Sequence, residues 1–156
     1  MSGEYLFFKW LHVVSSTVLF GTGAGIAFFF VRANRTGDVN VIAAVSKDVV
    51  FADAVFTAVA ALLQPLSGFA MVWMGAYAWT QSWVWLSLLL YVAVGCCWLP
   101  VVWLQIRMRD LATLAAATRS SLPTVYHRYY QWWFALGWPA FLGILFILYL
   151  MVAKPG

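Results

Sequence analysis

His12 is the side chain best placed to do chemistry in this chain. It lies inside Trp10–Val31, twenty-two consecutive residues without a full charge. Such a run is long enough to cross a bilayer core, which takes about 20 apolar residues. A titratable group in such a segment is costly and points to function. Imidazole is a usual axial ligand for haem iron. It can equally relay a proton or hydrogen-bond a neighbouring helix.

The surroundings of His12 in sequence bear on that choice. On a helix advancing about 100° per residue, His12, Ser16, Leu19 and Gly23 share one face. Small groups below a histidine let a flat macrocycle lie close to the backbone. Lys9 stands one turn above, where it can meet a haem propionate or extend to the headgroups. Met71, Met74 and Met151 fall at the same ends of their helices and are options for a sixth iron ligand. The alternative to a metal is a hydrogen bond from His12 to a carbonyl, to Gln64 or to Ser67.

Other polar positions read differently. His127 precedes the last apolar run, next to Arg128, and by helix arithmetic lies roughly 20 Å in depth from His12. The two cannot clamp one iron, so a bis-histidine haem would need His12 from two protomers. Asp53 is expected to pair with Arg32, Lys47 or Arg128. Thr17, Gly21 and Gly25 form a small-xxx-small ladder roughly opposite His12, suited to close helix packing. Cys96 and Cys97 are adjacent within an apolar run, which reads as a buried pair. No phosphate loop, activated nucleophile or multi-ligand metal cluster is present, so any chemistry comes from a bound cofactor.

The elements that must position these residues are plain. The chain is 65% hydrophobic and 9% charged, where a soluble domain has about 25% charged residues. Its mean hydropathy is +0.88 and its pI about 9.3. The basic residues form no face for nucleic acid. Four uncharged runs, Trp10–Val31, Ala54–Trp79, Trp83–Leu104 and Tyr129–Ala153, predict four membrane helices. Pro65, Pro100 and Pro139 lie inside the last three, where each should kink its helix and free a carbonyl one turn earlier. The links at 32–53 and 105–128 hold seven of the nine basic residues. The positive-inside rule puts both in the cytoplasm and both termini outside. The expected location is a bacterial inner membrane.

Two stretches carry a family resemblance. One is Tyr5-Leu-Phe-Phe-Lys9-Trp-Leu-His12-Val-Val, followed by Phe20-Gly21-Thr-Gly23. The other runs from Tyr126-His-Arg128 through Trp133 and Gly137-Trp-Pro139 to Lys154-Pro155. With Trp98-Leu-Pro100 and Leu104-Gln-Ile-Arg107, they resemble the small predicted integral membrane proteins catalogued as domain of unknown function 2269. More distantly, Lys9-x-x-His12 and the closing Lys-Pro are similar to HemJ-type protoporphyrinogen oxidases, which are small membrane bundles that bind haem b. That resemblance touches Lys9, His12, Arg128, Pro139 and Lys154. It implies a haem b at His12 and, if the chain is an enzyme, a membrane haem oxidoreductase.

The expectation is therefore an all-α, antiparallel bundle of four transmembrane helices, proline-kinked and homodimeric. It forms a single integral membrane domain over 1–156, with helices near 5–32, 48–79, 83–108 and 123–153. The bilayer, a second copy and a redox partner of unknown identity are its expected partners. The cofactor site would comprise His12 on the iron with Lys9, Ser16 and Gly23 around the ring. Electron transfer or oxidation of a hydrophobic small molecule is the expected role. The alternatives are a cofactor-free packing or partner-binding module and a small transporter subunit.

Overall fold

The computed structural model describes residues 3–75 and 77–155. Four helices account for nearly all of them: α1 Gly3–Thr36, α2 Val39–Trp73, α3 Ser82–Ala117 and α4 Thr124–Ala153. All four are long and apolar enough to cross a membrane, and no strand occurs among the described residues. The chain is an all-α integral membrane protein.

The helices reach well past the apolar runs that predicted them. Segment 32–53, expected as a basic link, is helical except at Gly37 and Asp38. Segment 105–128 is helical up to Ala117 and again from Thr124. Arg, Lys and isolated Asp residues end a hydropathy run, but they do not end a helix. What ends α1 is Gly37, at φ +69. Asp38 then caps α2, its Oδ1 accepting from the Asn40 and Val41 amides at 2.8 and 3.4 Å. At the far end, α2 stops at Trp73 rather than residue 79, and Gly75 turns the chain at φ +76.

Helix length therefore exceeds the hydrocarbon. A 36-residue helix such as α3 is about 54 Å long against a core of about 30 Å. The excess lies at the end carrying Arg32, Arg35, Lys47, Arg107 and Arg109, here called the basic end. The densest packing is found there. Phe30, Ile42, Met108, Ala112 and Tyr126 have almost no exposed surface, and Phe30 meets the Trp133 ring edge-on at 5.0 Å. Water at that end drives apolar burial, whereas lipid deeper in the bilayer solvates apolar side chains as well as protein does. Leu62, Leu66 and Leu89 accordingly face outward.

Within the bilayer, close approach depends on small residues and polar links. On α4, Gly143 faces Val94 of α3 so tightly that a Cβ there would lie 2.5 Å from Val94 Cγ2. Helix α2 runs on through Pro65, which has no amide to offer the carbonyl four residues earlier. That carbonyl, Ala61, instead accepts a hydrogen bond from the Tyr91 hydroxyl of α3. The freed carbonyl expected from the sequence thus serves as a rivet between two helices. Towards the other end α1 and α4 touch little. Their rings stack at Phe20 and Phe141, 5.2 Å apart.

Candidate functional site

The site is built where α1, α2 and α4 converge, towards the end opposite the basic one. α1 contributes His12 and Ser15, both buried, and α2 contributes Gln64 and Ser67, also buried. On each helix the two residues are three apart, so each pair lies on one face. Gly68 adds no side chain, and a Cβ there would touch His12 Cε1 at 3.5 Å.

The hydrogen bonds fix the arrangement. Gln64 Nε2 donates to the His12 carbonyl at 2.7 Å and to Ser15 Oγ at 2.6 Å. Ser15 Oγ also donates to the His12 carbonyl, at 3.2 Å. Ser67 Oγ donates to the Leu63 carbonyl at 2.6 Å. Ser67 Oγ also meets His12 Nδ1 at 2.9 Å. On the other side of the ring, Nε2 faces Met151 Sδ of α4 at 3.4 Å. A thioether sulfur only accepts, so it takes a hydrogen bond when Nε2 carries the ring proton, and Ser67 then donates to Nδ1; with the proton on Nδ1, Ser67 accepts it and Nε2 is left open as a ligand. Two atoms able to ligate a metal therefore face each other across the slight α1–α4 contact.

Above this pair lies a cluster of cations and phenols. Lys9 is one turn above His12, and Lys154 is one turn beyond Met151. Lys154 Nζ donates to the Tyr77 hydroxyl at 2.9 Å and lies 5.9 Å from the Trp83 ring centre. The Lys154 ammonium, then the Tyr5 hydroxyl, holds the Tyr77 phenol below its usual range, with a smaller contribution from Lys9. Ser82 Oγ donates to the Pro155 carbonyl at 3.2 Å and ties the end of α4 to the start of α3.

Not every residue singled out from sequence joins this site. Lys9 is exposed near Tyr77, and Ser16 is half-buried with its hydroxyl on the Val13 carbonyl at 2.7 Å. Gly23 lies on α1 with no neighbour within 4 Å of where its Cβ would stand. The buried serine is Ser15. Residues three and four beyond His12 both lie near its face, and sequence alone does not choose between them. Met71 is buried and Met74 exposed, and it is Met151 that meets His12. The Gly21–Gly25 ladder also has no neighbour within 4 Å inside the chain.

Two expectations are corrected. Asp53 pairs with none of Arg32, Lys47 or Arg128; among the described residues the ion pair is Arg109–Asp110. Its partners are neutral, because burial inside the bundle leaves room for an indole or an amide but not for a hydrated cation. The cysteines are not a buried pair: Cys96 is exposed and Cys97 half-buried. Adjacent helical residues point about 100° apart, so both cannot face inward. His127 is exposed beside Tyr126, well away from His12. Among the described residues, no three His, Cys, Asp or Glu side chains gather to hold a metal ion.

No curated protein and no solved structure matches the chain. Residues 6–155 match the family model described as predicted integral membrane protein (DUF2269). That match spans all four helices and the His12 site, and the chain belongs to this family.

Proposed function

We propose that this chain is a membrane b-type haem protein, with His12 an axial ligand of the iron and a role in electron transfer or in oxidation of a hydrophobic small molecule. The observation that carries the reading is the orientation of His12. Its Nδ1 is anchored on Ser67, and its Nε2 faces a second soft donor. Metal-ligating histidines are characteristically anchored through the other ring nitrogen in this way. Histidine with methionine is one of the established axial sets for haem.

The donor chemistry fits the group. The donors stand 3.4 Å apart, about 1 Å less than two metal–donor bonds laid end to end. Taking a metal between them means parting α1 and α4, whose contact at this end is slight. Lys9 and Lys154, one turn outward of each donor, suit acidic substituents at the ring edge. Bound haem would supply one-electron chemistry. The chain's own residues hold and orient the imidazole and keep water from its face. The reading includes a homodimer with the open Gly21–Gly25 ladder as its seam. It places the basic end in the cytoplasm by the positive-inside rule.

The test is an absorption spectrum of the detergent-purified protein from haem-replete cells, oxidised and then reduced. A Soret band that is lost in His12→Ala is the expected result. A featureless visible spectrum would overturn the proposal. One observation favours a second reading, a cofactor-free packing module. The Ser67 and Gln64 bonds already tie α1 to α2 at His12.

A further inference from the structure

We propose that Asp53 is a proton-binding site inside the bilayer, separate from the His12 site, which loads and unloads a proton as the bundle works. The chain has five acidic residues. Glu4, Asp38, Asp48 and Asp110 are exposed, whereas Asp53 is 4% exposed. Gln64, on the same helix, lies at the level of His12 and is eleven residues from Asp53, which puts Asp53 roughly 16 Å towards the basic end. It opens a π-turn, Asp53–Thr57, in which the Ala58 amide reaches back to the Asp53 carbonyl. Such turns are rare and concentrate at functional sites.

The neighbours accommodate both states of the carboxyl. From α4, Trp133 supplies an indole N–H, which can only donate. That fixes Gln105 of α3: its amide oxygen accepts from Trp133 Nε1 at 3.2 Å, and its amide nitrogen donates to Asp53 Oδ2 at 3.1 Å. Trp98 Nε1, also on α3, donates to Oδ1 over a longer 3.4 Å. The ionised form therefore has N–H donors on both oxygens. No Lys, Arg or His of α1, α3 or α4 stands within ion-pair distance to neutralise it. An uncompensated carboxylate in this setting is penalised by lost hydration.

The neutral form has a place for its proton too. Thr57, one turn along α2 and 5% exposed, has a buried hydroxyl with no partner other than the carboxyl beside it. A hydroxyl both donates and accepts, so it can donate to the carboxylate and, by turning, accept from the carboxylic acid. The neighbours thus serve both states, and no fixed cation locks either. A carboxyl between two such states exchanges a proton rather than merely bracing the fold.

Infrared spectroscopy of the liposome-reconstituted protein, stepped from acid to alkaline pH, tests this. The expected result is a protonated-carboxyl carbonyl band that fades as pH rises and shifts in heavy water. The band should shift when aspartate is 13C-labelled, and should be missing from Asp53→Asn. Thr57→Val should move its midpoint. If Asp53→Asn fails to fold, the labelled triple variant Asp38→Asn, Asp48→Asn, Asp110→Asn, whose one aspartate is Asp53, keeps the test valid. A band that neither titrates nor exchanges, or spectra unaffected by the label, would overturn the proposal. Neither outcome depends on whether His12 binds haem.

Discussion

His12 Nε2 and Met151 Sδ face each other at 3.4 Å across the contact between the first and last helices. The pair joins residues 139 positions apart, one from each end of the chain. If both ligate iron, removing the sulfur leaves the nitrogen in place. Met151→Leu should keep the Soret band, lose the thioether charge-transfer absorption of the ferric state, and lower the reduction potential, since methionine ligation raises it. Potentiometric titration followed by absorption measures this. An unchanged potential would remove Met151 from the iron.

The bonds around His12 also predict how the fold responds. His12→Ala deletes the Ser67 contact but keeps the backbone carbonyl that Gln64 and Ser15 address. Polar links between membrane helices contribute about 0.6 kcal/mol on average, so His12→Ala should cost on the order of 1 kcal/mol. Gln64→Leu removes two interhelical bonds at once, and should cost about 1–2 kcal/mol. Unfolding in mixed micelles with rising SDS ranks the two. A larger loss in His12→Ala would mean that the imidazole, rather than the glutamine, ties α1 to α2.

Much of this was legible in the sequence, for a physical reason. Transmembrane helices announce themselves by uncharged length, so four spans and their order followed from composition. His12 stood out because a titratable group in such a run is rare. Gln64, Ser67 and Met151 were named as candidates, but choosing among them needed the helix rotations, which depend on packing. The helix ends were not legible, because hydropathy marks where lipid stops and says nothing of where a helix stops. Ser15 was hidden by its neighbour Ser16. The Asp53–Gln105–Trp133 network joins three helices through residues 80 apart in sequence, and only the fold brings them together.

Gly143 gives a prediction that concerns packing alone. A Cβ added there would lie 2.5 Å from Val94 Cγ2, closer than side-chain contacts allow. Val94 is buried and β-branched, so its rotamer has little room to yield. Gly143→Ala should destabilise the α3–α4 pairing by about 1–3 kcal/mol. Combining it with Val94→Ala should restore much of that loss, since the smaller side chain vacates the space. The double-mutant cycle in SDS-induced unfolding checks it, and additive losses would show that the two do not meet.

Tyr77 gives the pH-dependent prediction, outside the membrane spans. The hydrogen bond from Lys154, 2.9 Å from the phenol oxygen, holds its pKa below the ordinary value of 10.0, and Tyr5 adds to this. A depressed pKa means that the folded state prefers the phenolate. The linked stabilisation is complete above the unfolded pKa of Tyr77 and is lost as pH falls through the folded one. The increment grows as pH rises through the lowered pKa towards the ordinary value of 10.0. The site is partly open to solvent, so the direction of the effect is a firmer guide than its size. Ultraviolet titration of phenolate absorbance should show one tyrosine ionising ahead of the others. Lys154→Met should return it to the main group, and should leave the α4 end less tightly held against Tyr77 and Trp83. An early-titrating tyrosine that survives Lys154→Met would assign the shift to Lys9 or Tyr5 instead.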